Sequence, residues 1–430
     1  MNTPLRIAIA GLGTVGAATV KLLMQNSEYL SVRAGRRLEV AAVSARDRRR
    51  NRGFDLTSVA WHDDPVSMAQ QSDIDVVVEL IGGSDGPAKQ VCEAAITTGH
   101  DVVTANKALL AHHGNTLARE AEKKGVSLNY EAAVAAGIPI IKALREGLAA
   151  NRIERVYGIL NGTCNYILSA MRDTGRNFED VLTDAQEFGY AEADPAMDVD
   201  GIDSAHKLAL LSSLAFGCAV DFEGVYIEGV RHVSPVDIQF ADELGYRIKL
   251  LGSSRLTKTG LEQRVHPCMI ANSAPIATVE GVLNAIVSRG DVVTDTMHEG
   301  PGAGAGPTSS AVVADIIDLA QGRRSATFGI PVSQLAVWPS APMEQHRGTY
   351  YVRLQVCDEP GVMADITSIF HDQKISIEAM IQRSQSQTNA VPVVLTTHEC
   401  SEAAMQRTLA AIAKVDTVVE RPCMIRIEPL

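Results

Sequence analysis

Long hydrophobic runs, paired cysteines and internal repeats are all missing from this sequence. No apolar stretch reaches the about 18 residues that a membrane-spanning helix needs, so we expect no membrane partner. The seven cysteines are scattered without a Cys-x-x-Cys pair, which predicts reduced thiols and no zinc-type site. A chain of 430 residues without repeats is expected to form two or three domains.

Positive charge is scarce relative to negative charge. The 39 lysines and arginines are outnumbered by 51 aspartates and glutamates, and the net charge of −12 argues against nucleic acid as the main partner. The first ten residues already enter an apolar strand and leave no room for a secretory signal, so we expect a cytoplasmic location. The remaining composition, 46% apolar and 21% charged, is that of an ordinary globular protein.

The first third of the chain alternates short apolar runs with helical segments. The apolar runs are RIAIAG, LEVAAVS, DVVVELIG and HDVVTAN, and helical patterns such as PAKQVCEAAITTG and TLAREAEKKG separate them. Apolar runs without polar alternation are typical of strands that are buried on both faces of a parallel sheet. We therefore predict an α/β fold with a parallel sheet over residues 1–140.

A glycine-rich turn follows the first predicted strand. In RIAIAGLGTVG, Gly11, Gly13 and Gly16 have the GxGxxG spacing, and Thr14 and Val15 begin the next helix. Between a strand and a helix, this spacing lets the backbone approach a pyrophosphate at the helix N-terminus. It predicts a Rossmann-type domain that binds a dinucleotide, whereas the alternative is a plain glycine turn.

The end of the second predicted strand bears on which dinucleotide binds. NAD-binding domains usually place an acid there, but this sequence offers Ser44 and Arg46, followed by further arginines. A guanidinium suits a 2′-phosphate, so Arg46 predicts a preference for NADP over NAD. The alternative is that these arginines form a solvated basic loop.

The rest of the chain changes character several times. Residues 141–306 mix strands such as RVYGILNG, VYIEGVRHV and LNAIVSRGDVV with grouped helices, which predicts an α+β domain for substrate binding and dimerisation. A glycine-rich loop then precedes a helix at 307–322 that we expect to complete the nucleotide domain. Residues 323–348 are predicted to be a linker, and residues 349–430 follow the βαββαβ order of a ferredoxin-like module.

The segment DGIDSAHKLALL places two charges at the start of an otherwise apolar helix. Asp203 and Lys207 are four residues apart, so they share one helix face, and that face continues inward through Leu210. A buried carboxylate–ammonium pair suits a reaction in which a cationic donor stabilises a developing oxyanion. The alternative is a helix capped by Asp200 that carries an ordinary surface ion pair.

Several longer motifs resemble those of the homoserine dehydrogenases. They are the glycine-rich turn of Gly11 to Gly16, called the nucleotide loop below, and ELIGG, TANKALLA, YEAAVAAGIPI, LNGTCNYIL, EFGYAEADP, DVDGIDSAHKLALL and GPGAGAGPTSSAVVADI. Together they span nearly all of residues 5–320 in family order. The C-terminal module is similar to an ACT domain. The resemblance implies reversible, NAD(P)-linked reduction of L-aspartate 4-semialdehyde to L-homoserine, at the branch towards threonine, methionine and isoleucine.

The same resemblance implies roles for individual residues. It assigns catalysis to Lys207, Lys107 and Asp203, with one of the two lysines as the proton donor. It implies that the substrate is bound by Glu192, Asp198, Gly162, Thr163 and Tyr190. It implies that the cofactor is bound by the nucleotide loop together with Ser44, Arg46, Gly82, Thr104, Lys107 and Gly306.

A cation site is implied in the same way. The YEAAVAAGI turn resembles a monovalent cation site of the family. There, Na⁺ or K⁺ would be bound by the Glu131 side chain and by the carbonyl groups of Val134, Ala136 and Ile138. A helix-capping or solvated glutamate is the alternative for Glu131.

An effector site is implied for the C-terminal module. Asp358, Gly361 and Val362 lie at a strand-to-helix turn that resembles the ligand site of ACT domains, and threonine is the expected effector. The alternative is a module that only dimerises. From the family we expect a homodimer or a homotetramer.

Two other functions are compatible with parts of the sequence. Cys164 in NGTCNY would suit a phosphorylating aldehyde dehydrogenase that works through a thioester, but no histidine base or phosphate site is evident nearby. A nucleotide-binding sensor without turnover would use the glycine loop and the C-terminal module. Such a sensor would have no need of the two lysines and Glu192.

Overall fold

The structure, a computed structural model, describes residues 3–382 and 390–430 of the chain. These residues form an N-terminal, a central and a C-terminal domain. No helix within the described ranges is both long and apolar enough to cross a membrane.

The N-terminal domain is built on a parallel sheet. Its strands are β1 (Leu5–Ala10), β2 (Leu38–Ser44), β3 (Ala60–His62), β4 (Val76–Glu79), β5 (Asp101–Thr104) and β6 (Leu128–Asn129). They lie in the order β3-β2-β1-β4-β5-β6, and every neighbouring pair is parallel, as in a Rossmann fold. The predicted parallel-sheet domain is therefore confirmed.

Helices cover the faces of this sheet. They are α1 (Thr14–Gln25), α2 (Ser27–Ala34), α3 (Pro65–Ala69), α4 (Pro87–Thr98), α5 (Lys107–Lys124) and the short α6 (Ile140–Lys142). All four residues of β4 and five of the six in β1 are buried, because these strands lie between two helical layers. Burial on both faces explains why their sequences are unbroken apolar runs.

The central domain combines long antiparallel strands with a group of helices. Its strands are β7 (Ile153–Ile159), β8 (Tyr226–Ile227), β9 (Tyr246–Thr257), β10 (Gly260–Ala271), β11 (Leu283–Gly290) and β12 (Thr294–Pro301). Its helices are α7 (Gly162–Thr174), α8 (Phe178–Glu187), α9 (Ala196–Val199), α10 (Ile202–Phe216) and α11 (Pro235–Glu243). The helix that follows, α12 (Ala305–Ala320), packs on α1 in the core of the N-terminal domain.

The central domain differs from the sequence-based expectation in two places. The sequence predicts a strand at VYIEGVRHV, but only the two-residue β8 forms there. The chain beyond it packs closely on the end of α9, since a Cβ on Gly229 would lie 2.3 Å from the carbonyl oxygen of Val199. The β9–β10 hairpin has no clear sequence signal. Its strand β10 is buried along almost its whole length, yet it contains Glu262, Arg264 and His266, which interrupt the apolar pattern.

The C-terminal domain has the predicted βαββαβ order. Its strands are β13 (Arg347–Cys357), β14 (Ile377–Gln382), β15 (Ala390–Thr397), the two-residue β16 (Cys400–Ser401) and β17 (Cys423–Glu428). Its helices are α13 (Val362–Asp372) and α14 (Glu402–Ile412). The four main strands lie in the antiparallel order β17-β13-β15-β14, so the ferredoxin-like fold is confirmed.

The sheets of the central and C-terminal domains are continuous. Strand β10 pairs in parallel with β17, in a register that aligns Cys268 with Arg426 and Ile270 with Glu428. One sheet therefore runs in the order β12-β11-β7-β9-β10-β17-β13-β15-β14. The C-terminal domain cannot turn away from the central domain without breaking these backbone hydrogen bonds.

A buried arginine fastens the junction between the two domains. One terminal nitrogen of Arg264 lies 3.0 Å from Oε1 of Glu428, 3.3 Å from Nε2 of His266 and 3.2 Å from Nε2 of His346. Because a guanidinium only donates, the Nε2 atoms that face it are unprotonated and the ring protons lie on Nδ1; the three acceptors share the two protons of this nitrogen. Their Nδ1 atoms face a backbone carbonyl in one case and a carboxylate in the other, which agrees with this assignment.

The thiol of Cys268 completes a group that has the composition of a metal site. Its sulfur, the His266 ring and the Glu428 carboxylate offer ligand atoms within 4.8 Å of one another. Burial together with the charges of Arg426 and Arg264 pushes the pKa of His266 well below its usual value. Two guanidinium groups already supply positive charge here, so we interpret the group as a hydrogen-bonded junction.

Residues 323–348 run back over the other domains. Arg324 donates to both oxygens of Asp101, at 2.7 and 2.8 Å, and the N–H of Val332 donates to the Glu122 carboxylate. Further along, the hydroxyl of Ser340 donates to a carbonyl group of the central domain. The segment predicted as a linker is therefore bound by hydrogen bonds to the N-terminal and central domains at several points along its length.

Candidate active site

The glycines of the nucleotide loop have distinct steric roles. A Cβ on Gly11 (φ +97°) would lie 2.4 Å from the carbonyl oxygen of Leu80, and one on Gly16 would lie 1.9 Å from that of Gly11. A Cβ on Gly13 would meet nothing within 4 Å. Gly11 and Gly16 therefore allow close backbone packing, whereas Gly13 leaves open space where a pyrophosphate would lie.

The start of α1 suits an anion. Thr14 and Val15 are its first residues, Gly13 provides no side-chain cap, and the first turn contains no acid. The first backbone N–H groups of a helix have no intrahelical acceptor, so these groups can donate to phosphate oxygens. Gly306 is the second residue of α12, which packs on α1, and a Cβ there would also meet nothing within 4 Å.

The end of β2 lies directly against the nucleotide loop. The carbonyl oxygen of Ser44 accepts the N–H of Gly11 at 2.9 Å, and Arg46 follows two residues later with an exposed side chain. Arg52 is occupied differently, since its Nε donates to the carbonyl oxygen of Leu12 and its other nitrogens donate to carbonyls of its own loop. Arg52 therefore shapes the loop, whereas the Arg46 side chain is exposed just after the strand end that contacts the glycine turn.

A buried glutamate within ELIGG holds the next loop of the site. Glu79 accepts the N–H groups of Ile81 at 2.7 Å and Gly82 at 3.1 Å through Oε1. Its Oε2 accepts the hydroxyl of Thr104 at 2.7 Å. The Thr104 side chain is thus used inside the protein, and Gly82 (φ +89°) is positioned at the loop by its backbone. Sequence patterns give no role to Glu79, although an acid at the end of an apolar strand is a visible signal.

Lys107, Asp203 and Lys207 meet at the carboxyl edge of the parallel sheet. Lys107 is the first residue of α5, where Asn106 caps the helix by accepting the N–H of Leu109. The Lys107 ammonium lies 2.9 Å from Oδ1 of Asp203, and the Lys207 ammonium lies 2.8 Å from Oδ2. Ligands of open α/β sheets bind at this edge, so the structure gathers the three expected catalytic residues from two domains.

One buried carboxylate lies between the two ammonium groups. The side chains of Asp203 and Lys207 are 8% and 9% exposed, whereas that of Lys107 is 38% exposed. Burial alone would raise the pKa of Asp203, but the charges of Lys207 and Lys107 hold it below its usual range. The charge of Asp203 in turn raises the pKa of Lys107. Lys107 therefore stays charged and is the more exposed of the two lysines.

The alternative of a capped surface helix is wrong. Gly201 (φ +87°) precedes α10, and Asp200 pairs with Arg231 at 2.5 Å instead of capping the helix. Lys207 also donates to the carbonyl oxygen of Leu160 at 2.7 Å. Its ammonium group is therefore held by two acceptors in the interior.

A second acid lies beside this cluster. Asn161 donates through Nδ2 to Oδ1 of Asp198 at 2.7 Å and to Oδ2 of Asp203 at 2.9 Å. Burial and the charge of Asp203 raise the pKa of Asp198. The Thr163 hydroxyl donates to the carbonyl oxygen of Tyr190 at 2.7 Å, which ties the loop after α8 to the start of α7.

The remaining expected substrate residues line this region in different ways. Gly162 begins α7, and a Cβ there would lie 2.5 Å from the carbonyl oxygen of Val282, so this position requires close packing. Glu192 is exposed, but after Asp203 and Asp198 it also acts on the pKa of Lys107. Tyr190 is partly exposed in the same loop. The loop after α8 therefore forms the outer side of the site.

Cys164 lacks the properties of a catalytic nucleophile. Its side chain is fully buried, and its sulfur donates to the backbone oxygen of Asp198 at 3.2 Å. Burial and the nearby Asp198 charge raise the pKa of the thiol well above its usual value. Because the thiolate is the reactive form, the thioester alternative has no support in the structure.

The turn at residues 131–138 encloses a buried acid. Both oxygens of Glu131 accept backbone N–H groups of α6, at 2.9 Å each. Burial and the neighbouring Asp315 raise the pKa of Glu131 to about 7. Ala136 has a φ of +44°, and Val134 and Ile138 are buried beside it. Glu131 thus holds the start of α6 through its backbone, as the helix-capping alternative expects.

The first turn of the C-terminal domain surrounds an open hollow. Gly361 (φ +100°) precedes α13, and Val362 is the buried first residue of that helix. With Asp358 and Gln382, these residues line a hollow of about 530 Å³. A volume of this size accommodates a small ligand.

The fold and the site together define a class of protein. A Rossmann sheet with a glycine loop, and a lysine–carboxylate–lysine cluster at its carboxyl edge, are parts of an oxidoreductase that uses a pyridine nucleotide. Family models described as "Homoserine dehydrogenase, NAD binding domain", "Homoserine dehydrogenase" and "ACT domain" match residues 11–131, 139–317 and 350–417. The chain belongs to the homoserine dehydrogenase family.

Full-length relatives support this assignment. The homoserine dehydrogenase of Pseudomonas aeruginosa is 46% identical over 99% of both chains. The crystal structure of a homoserine dehydrogenase from Thiobacillus denitrificans is 45% identical, with a TM-score of 0.93 over 99% of this chain and 98% of that one. A hyperthermophilic archaeal homoserine dehydrogenase in complex with NADPH is 26% identical, with a TM-score of 0.62 over 74% and 97%. The resemblance found in the sequence is confirmed.

Replacing Lys207 with methionine tests the chemical role of its ammonium group. Methionine keeps an unbranched side chain but cannot donate, so we expect kcat for L-aspartate 4-semialdehyde to fall by about 10²–10⁴-fold. NADPH binding should persist, because Lys207 lies on α10 and not at the nucleotide loop. Absorbance of the nicotinamide measures the rate, and NADPH fluorescence measures binding.

A buried lysine outside the cluster provides the control. Lys249 in β9 is 1% exposed and donates to the carbonyl oxygen of Val279 at 2.6 Å. The Lys249→Met variant should keep kcat even if its melting temperature falls. A Lys207→Met protein that retains most of its kcat would refute the chemical role.

Proposed function

We propose that the protein catalyses the reversible, NAD(P)H-dependent reduction of L-aspartate 4-semialdehyde to L-homoserine. The observation that carries this proposal is the Asp203 carboxylate, held between the ammonium groups of Lys107 and Lys207 at the edge of the nucleotide-binding sheet. The product would supply the branch towards threonine, methionine and isoleucine. The full-length relatives support the same reaction class.

The two lysines are placed to stabilise charge on the substrate oxygen. The nucleotide supplies hydride when it is bound, and the aldehyde oxygen then gains negative charge. Lys107 uses one N–H on Asp203, and Lys207 uses one on Asp203 and one on Leu160. An ammonium group has three N–H donors, so each lysine retains at least one for the oxygen. One of the two then delivers the proton.

The neighbouring acids suit the amino group of the substrate. Oδ2 of Asp198 lies 3.4 Å from the Thr163 hydroxyl, but the single proton of that hydroxyl points to Tyr190 at 2.7 Å. Oδ2 of Asp198 is therefore available to a substrate ammonium group. Glu192, in the exposed loop after α8, would bind the same end of the substrate from outside.

We infer a preference for NADP from the end of β2. No acid is present between Ser44 and Arg46, and Arg46 is exposed two residues after Ser44, whose carbonyl group accepts the N–H of Gly11. A guanidinium in this place can form an ion pair with the 2′-phosphate of NADP. The 2′-hydroxyl of NAD carries no charge with which it could pair. The archaeal relative in complex with NADPH is compatible with this preference.

The coenzyme preference and the reaction are tested in one assay. Purified protein is mixed with L-aspartate 4-semialdehyde and either NADPH or NADH, without phosphate. We expect faster oxidation of NADPH, and in Arg46→Gln we expect kcat/KM for NADPH to fall about tenfold because a charged hydrogen bond is lost. The rate with NADH should stay the same.

The neighbouring Arg49 provides a matched control for Arg46. Its side chain is exposed in the same loop, so Arg49→Gln should leave the coenzyme preference unchanged. Equal efficiency with both nucleotides in the unaltered protein would contradict the NADP preference. No oxidation of either nucleotide, with NADPH still bound, would contradict the proposed reaction.

We also propose that Na⁺ or K⁺ binds at the turn of residues 131–138. Burial raises the pKa of Asp315 to about 6, and the pKa of Glu131 is raised to about 7. The Lys142 ammonium lies 3.4 Å from Asp315 and lowers the pKa of both acids, and a bound cation would stabilise their charged forms further. Its ligands would be the Glu131 side chain and the carbonyl groups of Val134, Ala136 and Ile138.

We propose that threonine binds at the hollow beside Asp358 and Gly361 and inhibits the enzyme. The continuous sheet offers a route to the active site. Arg426 of β17 donates to Glu228 at 2.7 Å, and two residues further on the backbone N–H of Val230 donates to Val199 at 2.9 Å. Val199 follows Asp198, so a shift of β17 would move the backbone next to the acid that is proposed to bind the substrate.

We further propose a homodimer or homotetramer. The long sheet ends on β12 and β14, and within the described residues the outer edge of each pairs with no other strand. Strand edges with unpaired N–H and C=O groups are sites where a second copy can add to a sheet.

Threonine titration tests the proposed effector site. We expect threonine to inhibit the reduction and to raise the melting temperature, because a ligand that binds the folded state stabilises it. In Asp358→Asn the inhibitory concentration should rise about tenfold, since a charged partner of the ligand is lost. Asp372→Asn, exposed at the far end of α13, is the control that should leave inhibition intact. No inhibition and no thermal shift would favour a domain that only dimerises.

A further inference from the structure

We propose that Asn161 is a positioning residue of the reduction, an inference that rests on the proposed function. Its amide joins Asp198, which would meet the substrate ammonium group, to Asp203, which holds both lysines. Asn161 thereby fixes the distance between the acid that would bind the substrate ammonium group and the acid that holds the two lysines.

The orientation of the Asn161 amide follows from its partners. Its Oδ1 accepts the backbone N–H of Cys164 at 2.8 Å and so caps α7. Ionised carboxylates only accept hydrogen bonds, so Nδ2 must face Asp198 and Asp203. Both N–H groups of the amide are used, and the side chain is buried in the protein. Asn161 therefore has no freedom to turn away from either acid.

Asp198 needs this donor more than Asp203 does. Asp203 has an ammonium group on each oxygen, whereas the firm hydrogen bond to the Asp198 carboxylate comes from Asn161. The charged groups that face Asp198 are Asp203 and Lys207 of α10 and Lys107 of α5. Burial and Asp203 raise its pKa, and Asn161 is the first group that opposes them. Without Asn161, Asp198 would keep its proton to higher pH.

The substitution Asn161→Ser separates positioning from helix capping. Serine is a good N-cap residue, but its side chain is too short to reach the two acids. We expect KM for the semialdehyde to rise about tenfold at neutral pH, as a hydrogen bond to a charged group is lost. KM should rise further as the pH falls, because protonated Asp198 no longer attracts an ammonium group. NADPH affinity should be unchanged.

A second asparagine cap supplies the matched control. Asn177 caps α8 by accepting the N–H of Asp180 at 3.0 Å and is remote from the lysine cluster in its contacts. Asn177→Ser should show the KM of the unaltered protein at every pH. The size-matched Asn161→Asp keeps the cap acceptor but cannot donate when ionised, so it must also raise KM at and above neutral pH.

The outcomes distinguish this inference from the proposed function. An Asn161→Ser protein with unaltered KM across the pH range shows that Asn161 positions nothing. A parallel loss of thermal stability, NADPH affinity and kcat, with the KM profile unmoved, shows that Asn161 is only a cap. An unaltered protein that binds NADPH but does not reduce the semialdehyde overturns the proposed function itself.

Discussion

The ion pairs of the buried Asp203 carboxylate are the interaction on which the site depends. Lys107 comes from the N-terminal domain and Lys207 from the central domain, so one acid joins the two domains where they form the site. Two ammonium groups held close together repel each other unless a negative charge lies between them. The relative placement of the nucleotide-binding sheet and the substrate acids is therefore coupled to the ionisation of Asp203.

The junction between the central and C-terminal domains is also held by buried pairs of opposite charge. Arg264 and Glu428 are both buried, and each has its opposite charge within hydrogen-bond distance. A similar pair joins Arg353 of β13 to Asp237 of α11 at 2.7 Å. Removing one partner of a buried pair leaves an uncompensated charge, which is much more costly than losing a surface pair. Together with the shared sheet, these pairs make the C-terminal domain part of one continuous structure.

The features that sequence could predict are those that neighbouring residues determine. The glycine loop, the parallel sheet and the shared helix face of Asp203 and Lys207 all follow from local patterns. The Asn161 bridge, the hydrogen bond between Glu79 and Thr104 and the pairing of β10 with β17 join residues far apart in the chain, so no local period reveals them. Cys164 shows that a local motif can also suggest a function that the structure does not support. Its place in the sequence suggests a nucleophile, and only its burial shows an inert thiol.

The most direct test of the central claim is the steady-state kinetics of Asp203→Asn with L-aspartate 4-semialdehyde and NADPH. Asparagine keeps the shape of the side chain but removes the charge that holds Lys107 and Lys207 together. The account predicts that kcat falls by about 100-fold or more while NADPH binds as before. An Asp203→Asn protein whose kcat stays within about tenfold of the unaltered protein would contradict it.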